Sequence, residues 1–203
     1  MIRLPRLYAV ADRAFGEPVA LAKALFEGGA RLVQIRDKAA VPRTLIEEVD
    51  AALRSAPASA CLIVNDRSDV ARITGAGGVH LGQEDLSPSA ARRVLTAKQV
   101  IGFSTHSVAQ AVEADRMEVD YIAAGPIFST TTKADAAPVI GLERLREICS
   151  AVRKPVVAIG GITLESAREV LECGAASVAV ISDLLRHANV EARTREWVRH
   201  LES

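Results

Sequence analysis

A chain of 203 residues and 21.6 kDa is long enough for one ordinary domain or one compact α/β barrel, and too short for two well-developed domains. With 49% hydrophobic and 25% charged residues it can bury a real core, which excludes a disordered chain. Basic and acidic residues balance at 25 each, so no global field draws in nucleic acid or an anionic membrane, and any anionic ligand has to be met by a local cluster.

The N-terminal Met1 to Val10 carries two arginines, but its apolar run is cut by Asp12 and lacks a small-residue cleavage site, so no secretory leader is expected. The longest stretch free of Asp, Glu, Lys and Arg, Gln99 to Val112, has 14 residues, short of the roughly 20 that a membrane span needs. Cys61, Cys149 and Cys173 are odd in number, scattered, and set in apolar surroundings without metal-ligand spacing. They read as buried thiols of a cytoplasmic protein.

Eight short aliphatic and β-branched runs follow in chain order: Leu7–Val10, Leu32–Ile35, Cys61–Val64, Val79–Leu81, Val100–Phe103, Tyr121–Ala124, Val156–Ile159 and Ser177–Ile181. Most are apolar on both parities, as strands of a parallel sheet covered on both faces are. Helical patterns lie between them. Pro18 opens the first and Gly28-Gly29 closes it, and Ser87 before Pro88 opens another. Leu142, Leu145, Ile148, Cys149 and Val152 recur at spacings of three and four opposite a charged face. Leu164, Ala167, Val170 and Leu171 repeat the pattern after Thr163 as N-cap, with Gly174 as the stop.

Eight β-α units of about 25 residues each, with no linker or low-complexity tract, predict an α/β protein with a single (β/α)8 TIM barrel over residues 1–203. A doubly wound open sheet is the competing architecture.

In a parallel barrel the carboxyl ends of all strands open on one face, and the residues just after these runs are polar. They are Arg36, Asp37 and Lys38; Asn65, Asp66 and Arg67; Gln83, Glu84 and Asp85; Ser104, Thr105 and His106; the segment Gly125 to Lys133; Gly160 and Gly161; and Ser182 and Asp183. Gly160-Gly161 before one helix and Ile181-Ser182 before the last match a phosphate-binding device of such barrels, although glycines can also serve tight turns alone. Asp66 and Asp85, from adjacent units, suit Mg²⁺ whose other ligands are water and phosphate oxygens. Arg36 and Lys38, two apart at a strand end, point along one face and complete a diphosphate constellation. Asp66 has the rival reading of pairing with Arg67 or capping the helix near Ser68. Thr130, Thr131, Thr132 and Lys133 suit an anionic substrate, against the alternative of a solvated loop. His106 reads equally as an acid-base group or as an orienter, and His80 as a structural histidine.

Together Gln34-Ile35-Arg36-Asp37-Lys38, Val64-Asn65-Asp66-Arg67, Gly78 to Asp85, Gly102-Phe103-Ser104-Thr105-His106, Gly125 to Lys133 and Ala158-Ile159-Gly160-Gly161-Ile162 resemble thiamine phosphate synthases from Leu7 to Ser182. The resemblance implies condensation of a hydroxymethylpyrimidine diphosphate with a thiazole phosphate, with Mg²⁺, giving thiamine phosphate and pyrophosphate. It implies that Gln34, Ile35, Arg36, Asp37, Lys38, Asn65 and Ser104 hold the pyrimidine diphosphate and that Asp66 and Asp85 bind the metal. Thr130, Thr131, Thr132, Lys133, Gly161, Ile181 and Ser182 would hold the thiazole phosphate, with Arg36, Lys38, Ser104 and Lys133 as the catalytic set. Small-molecule substrates are the implied partners; a homo-oligomer is left open.

One position departs from the family. Asp183 stands where a small residue usually follows the phosphate-loop serine, and it either caps the helix or repels the phosphate. Two other functions share the barrel: a thiazole tautomerase, which needs no diphosphate site, and a non-catalytic ligand-binding regulator. A Schiff-base aldolase using Lys38 or Lys133 is disfavoured because neither lysine sits in an apolar run that would lower its pKa.

Overall fold

Strands buried on both faces organise the molecule, alternate side chains facing the helices and the barrel interior. The computed structural model describes residues 4–130, 132 and 138–202 and contains eight parallel strands, each hydrogen-bonded to the next. They are β1 (Leu7–Asp12), β2 (Leu32–Arg36), β3 (Cys61–Asn65), β4 (Gly78–Leu81), β5 (Val100–Thr105), β6 (Tyr121–Ala124), β7 (Val156–Ile159) and β8 (Ser177–Val180). Pairing of Leu7 with Val178 and of Tyr8 with Ala179 joins β1 to β8 and closes the barrel, so the expected (β/α)8 architecture is the observed one and the open sheet is excluded.

The helices pack outside: α1 (Pro18–Glu27), α2 (Pro42–Ser55), α3 (Ser68–Thr74), α4 (Pro88–Val94), α5 (Val108–Arg116), α6 (Gly141–Ala151), α7 (Ala167–Glu172), α8 (Ser182–Leu185) and α9 (Val190–Glu202). Among the described residues none of them is long and apolar enough to cross a membrane. Outward strand residues such as Val33, Ile35, Leu62, Val64, Ile101 and Ile122 join the helices in one large apolar cluster. Inward residues Tyr8, Leu32, Ile63, Tyr121, Ala123, Val157 and Ala179 form a second cluster inside the barrel. Both-face burial is why the strands read as unbroken apolar runs.

Local signals act as expected at most helix ends. The Ala90 N–H donates to Ser87 Oγ at the start of α4, and Pro18 and Pro42 stand in the first turns of α1 and α2. Helix α7 corrects the expected start at Thr163. Residues 164–166 form a turn in which Thr163 N donates to Ser166 Oγ and Ser166 Oγ donates to Thr163 O, so the helix begins only at Ala167. A serine that closes its own local turn competes with the helical ladder.

Candidate active site

Strand parity sorts the strand-end residues. Gln34 and Arg36 on β2, Asn65 on β3, His80 on β4 and Ser104 on β5 point inward and line a narrow throat of about 30 Å³ at the barrel's open end. Ile35, one residue away, is fully buried in the outer cluster, so its side chain faces the helices. The Asp37 side chain turns to its own loop. Its Oδ1 accepts the Ala39 and Ala40 N–H groups at 2.9 Å and its Oδ2 lies 3.8 Å from Arg13 Nε, so the carboxylate shapes the β2–α2 loop.

Arg36 Nη1 donates to Asp12 Oδ2 at 2.6 Å, and Asp12 Oδ1 accepts the Ala14 N–H at 2.9 Å. The buried Asp12, placed last in β1, thus aims a half-buried guanidinium at the throat. Sequence reasoning passed over Asp12, although a lone carboxylate closing an apolar strand was the available signal.

Asp66 and Asp85 come together as expected. Burial raises the Asp66 pKa most, and the hydrogen bond and like charge of the adjacent Asp85 carboxyl raise it further against the lowering by Lys38, whose Nζ lies 3.4 Å from Asp66 Oδ2. Asp66 takes φ of 61°, a left-handed conformation that aspartate tolerates better than most residues. Its rival reading falls away, because Arg67 instead grips Asp69 through two nitrogens and the start of α3 has no side-chain cap. Asp85 Oδ2 accepts the Gly82 N–H at 2.7 Å. Two facing carboxylates with mutual repulsion are a hard-oxygen donor pair that fits a divalent cation completing its shell with water and phosphate oxygens. Among the described residues no group of three or more His, Cys, Asp or Glu offers a fuller cage.

A second cavity of about 210 Å³ adjoins the throat across Ser104 and Ile181 and is lined also by Thr130, Thr132, Gly161 and Ser182. Gly160 and Gly161 take φ of 102° and 66°, and a Cβ on Gly161 would fall 2.5 Å from Ser129 O. The Gly-Gly pair packs closely on the β6–α6 loop and also lines the cavity. Thr131 and Lys133 lie outside the described residues. His106 reaches the cavity with its Nδ1 2.6 Å from Gly125 O, a contact that orients the ring and ties it to the β6–α6 loop.

Asp183 lines an open cavity with Thr130, Gly161 and Ser182, but its carboxylate is engaged elsewhere. Its Oδ2 accepts Arg193 Nη2 and Trp197 Nε1, both at 2.7 Å, which turns the carboxylate towards α9. Arg36 and Ser104 line the throat and Ser104 and Ser182 the larger cavity, while Asp66 and Asp85 sit together beyond the carboxyl ends of β3 and β4, on the same face of the barrel. Such a site can bind a diphosphate beside a phosphate monoester.

Comparison with known proteins points the same way. A family model described as thiamine monophosphate synthase matches residues 7–184. A thiamine-phosphate synthase of Koribacter versatilis is 44% identical over 100% of this chain and 98% of its own length. One from Chlorobium phaeovibrioides is 40% identical over 98% and 95%. The solved structure of a thiamine phosphate pyrophosphorylase from Pyrococcus furiosus superposes with a TM-score of 0.90 at 38% identity, over 97% of this chain and 95% of that one.

Proposed function

Because the chain belongs to the thiamine monophosphate synthase family and is a transferase of thiamine biosynthesis, we propose that its barrel mouth joins a hydroxymethylpyrimidine diphosphate to a thiazole phosphate, releasing pyrophosphate. The observation that carries this reading is the adjacency of two unlike cavities, one lined by Gln34, Arg36 and Asn65 and the other by hydroxyls and glycines, with Ser104 and Ile181 among the residues they share. A tautomerase or a single-ligand regulator has no use for both. Residues 1–203 act as one barrel domain in this reading.

Gln34, Asn65 and Ser104 hold the pyrimidine ring in the throat, and Arg36 and Lys38 hold its diphosphate. Ile35 and Asp37 contribute through the backbone and loop they shape rather than through their side chains. Thr130, Thr132, Gly161, Ile181 and Ser182, with Thr131 and Lys133, hold the thiazole phosphate. Asp66 and Asp85 would hold Mg²⁺, which when bound supplies positive charge against the leaving diphosphate.

The reaction breaks the bond between the pyrimidine methylene carbon and the diphosphate oxygen before the new C–N bond forms, and the electron-rich aminopyrimidine carries the cation. Arg36, aimed by Asp12, and Lys38 stabilise charge growing on the departing oxygen. The thiazole nitrogen then donates its lone pair to the methylene carbon, so no strong general base is required. The facing sites align the two partners and supply much of the remaining rate. The three free cysteines support residence in a reducing cytoplasm.

An assay of the purified chain with both substrates and Mg²⁺, then with each omitted, tests the function. Thiamine phosphate forms only in the complete mixture if the reading holds. Asp66→Ala and Asp85→Ala are expected to abolish Mg²⁺-dependent pyrophosphate release; near-normal turnover of both variants at limiting Mg²⁺ overturns the metal assignment. Lys133→Ala is expected to raise KM chiefly for the thiazole phosphate.

A further inference from the structure

Five polar side chains from five strands join into one chain across the barrel interior. Gln34 Nε2 on β2 donates to Tyr8 Oη on β1 at 2.8 Å, and Tyr8 Oη lies 3.0 Å from Tyr121 Oη on β6. Tyr121 Oη is 3.0 Å from His80 Nδ1 on β4, and His80 Nε2 is 2.9 Å from Ser104 Oγ on β5. The Tyr121 ring packs edge-on to Tyr8 at 6.0 Å and stacks on His80 at 5.6 Å. Gly102 makes the space, since a Cβ there would fall 2.0 Å from Tyr121 Cζ.

Proton accounting gives the chain a direction. A neutral phenol has one proton to donate, and burial raises the pKa of both tyrosines, keeping them neutral. With Tyr8 accepting from Gln34, the arrangement that leaves no buried phenol proton idle sends the Tyr8 proton to Tyr121 Oη. Tyr121 then donates to His80 Nδ1, which must be the bare nitrogen of the imidazole. The ring proton therefore sits on Nε2 and is donated to Ser104 Oγ. Ser104, having accepted, keeps its hydroxyl proton for a ligand, and Ser104 lines both the throat and the larger cavity.

We propose that Tyr8, Tyr121 and His80 are positioning residues that transmit a fixed hydrogen-bond direction from Gln34 to Ser104, so that Ser104 meets the bound pyrimidine as a donor to a ring nitrogen. The identity of the ligand rests on the synthase reading; the direction of the chain does not. The arrangement also selects substrate, because a ring carrying C–H in place of the acceptor nitrogen leaves the aimed proton without a partner.

The test uses the full chain with ¹⁵N-labelled histidine rings and no ligand, the His80 signal being assigned by its loss in His80→Gln. The expected state is the neutral Nε2–H tautomer, with Tyr121→Phe releasing the ring to a mixture containing Nδ1–H. An Nδ1–H tautomer in the wild type reverses the direction, makes Ser104 an acceptor and overturns the proposal. In kinetics, Tyr121→Phe raises KM for the pyrimidine diphosphate roughly tenfold, about the worth of one hydrogen bond, and leaves KM for the thiazole phosphate unchanged. The double variant Tyr121→Phe/Ser104→Ala is no worse than Ser104→Ala alone, because the relay acts only through that hydroxyl. Fully additive losses, or equal shifts in both KM values, overturn it. Tyr8→Phe takes the same measurements should Tyr121→Phe fail to fold. An inactive wild type sinks the synthase reading, and the tautomer measurement still decides the direction of the chain.

Discussion

Asp12 and Arg36 are register partners at the ends of β1 and β2, and the 2.6 Å contact between their side chains fixes one cation of the mouth from the neighbouring strand. Asp12→Ala leaves that guanidinium without its counter-charge and the Ala14 N–H without its acceptor. Losing one partner of a fully buried pair costs 3–5 kcal/mol; with Arg36 at the mouth, about 2 kcal/mol is expected. KM for the pyrimidine diphosphate should rise about tenfold or more. Asp12→Asn, which keeps an acceptor for Ala14, should regain most of the stability and little of the KM. Denaturant unfolding and steady-state kinetics on both variants check this, and an unchanged KM in Asp12→Ala would refute the aiming role.

Asp183 anchors α9 through Arg193 and the fully buried Trp197. Asp183→Ala strands a buried indole N–H and leaves the Arg193 guanidinium to Glu196 and the Asp183 carbonyl, at a cost of about 1–3 kcal/mol. At about 2–4 °C per kcal/mol for a chain of this size, calorimetry should record a visible fall in Tm. KM for the thiazole phosphate should stay within error. A tenfold change in that KM would mean that the carboxylate does reach the ligand.

Runs apolar on both faces announced the barrel, because only a sheet covered inside and out needs them. The same property hid strand parity. With no alternation to read, Ile35 looked as available to a ligand as Gln34 and Arg36, yet it faces the helices. Tyr8 and Tyr121 passed as core residues because their partners lie 113 positions apart in sequence, and His80 passed as merely structural. A polar residue within an apolar run, Gln34 on β2 and His80 on β4, was the one clue that the barrel interior holds a polar chain. The carboxylate pair Asp66 and Asp85 was legible because Asp66 follows β3 directly and Asp85 lies in the short loop after β4, where topology alone brings residues together. Asp183 was not, since its partners belong to a helix packed on afterwards.

Glu48 on α2 is buried, with Oε2 lacking a hydrogen-bond partner and Oε1 3.6 Å from Arg13 Nη1. Burial first, then the like charge of Asp37, raise its pKa above the usual glutamate value against the lowering by Arg13. A carboxyl whose pKa is higher in the folded state is easiest to bury protonated. Its cost is therefore absent below the unfolded value of about 4.3 and grows as pH rises through the folded value. Glu48→Gln removes that cost, so the variant should be more stable than wild type at pH 7 by up to about 1 kcal/mol. The gain should vanish below about pH 4. Thermal melts of both proteins across this range check the sign, and a variant less stable at neutral pH would contradict it.

Gly161 combines two demands that no other residue meets. Its φ of 66° is a conformation that side chains adopt at a cost of about 1–3 kcal/mol, and a Cβ would press within 2.5 Å of Ser129 O and 2.8 Å of Phe128 Cβ. The β6–α6 loop must then back away from β7, carrying Thr130 and Thr132 with it, because Ile127 N and Phe128 N are bonded to Ile159 O and Gly160 O. Gly161→Ala is expected to raise KM for the thiazole phosphate by at least about tenfold, from a displacement on the ångström scale. Arg36 and Gln34, proposed to hold the pyrimidine diphosphate, belong to β2, away from this loop, and KM for that substrate should be spared. Gly75→Ala is the control: that glycine has a similar φ of 71° and open space round the added methyl, so it should share the stability loss without the kinetic defect. Parallel KM and Tm measurements on the two variants separate strain from displacement of the loop, and matching kinetic losses would show that the contacts at Ser129 and Phe128 are not what position the phosphate site.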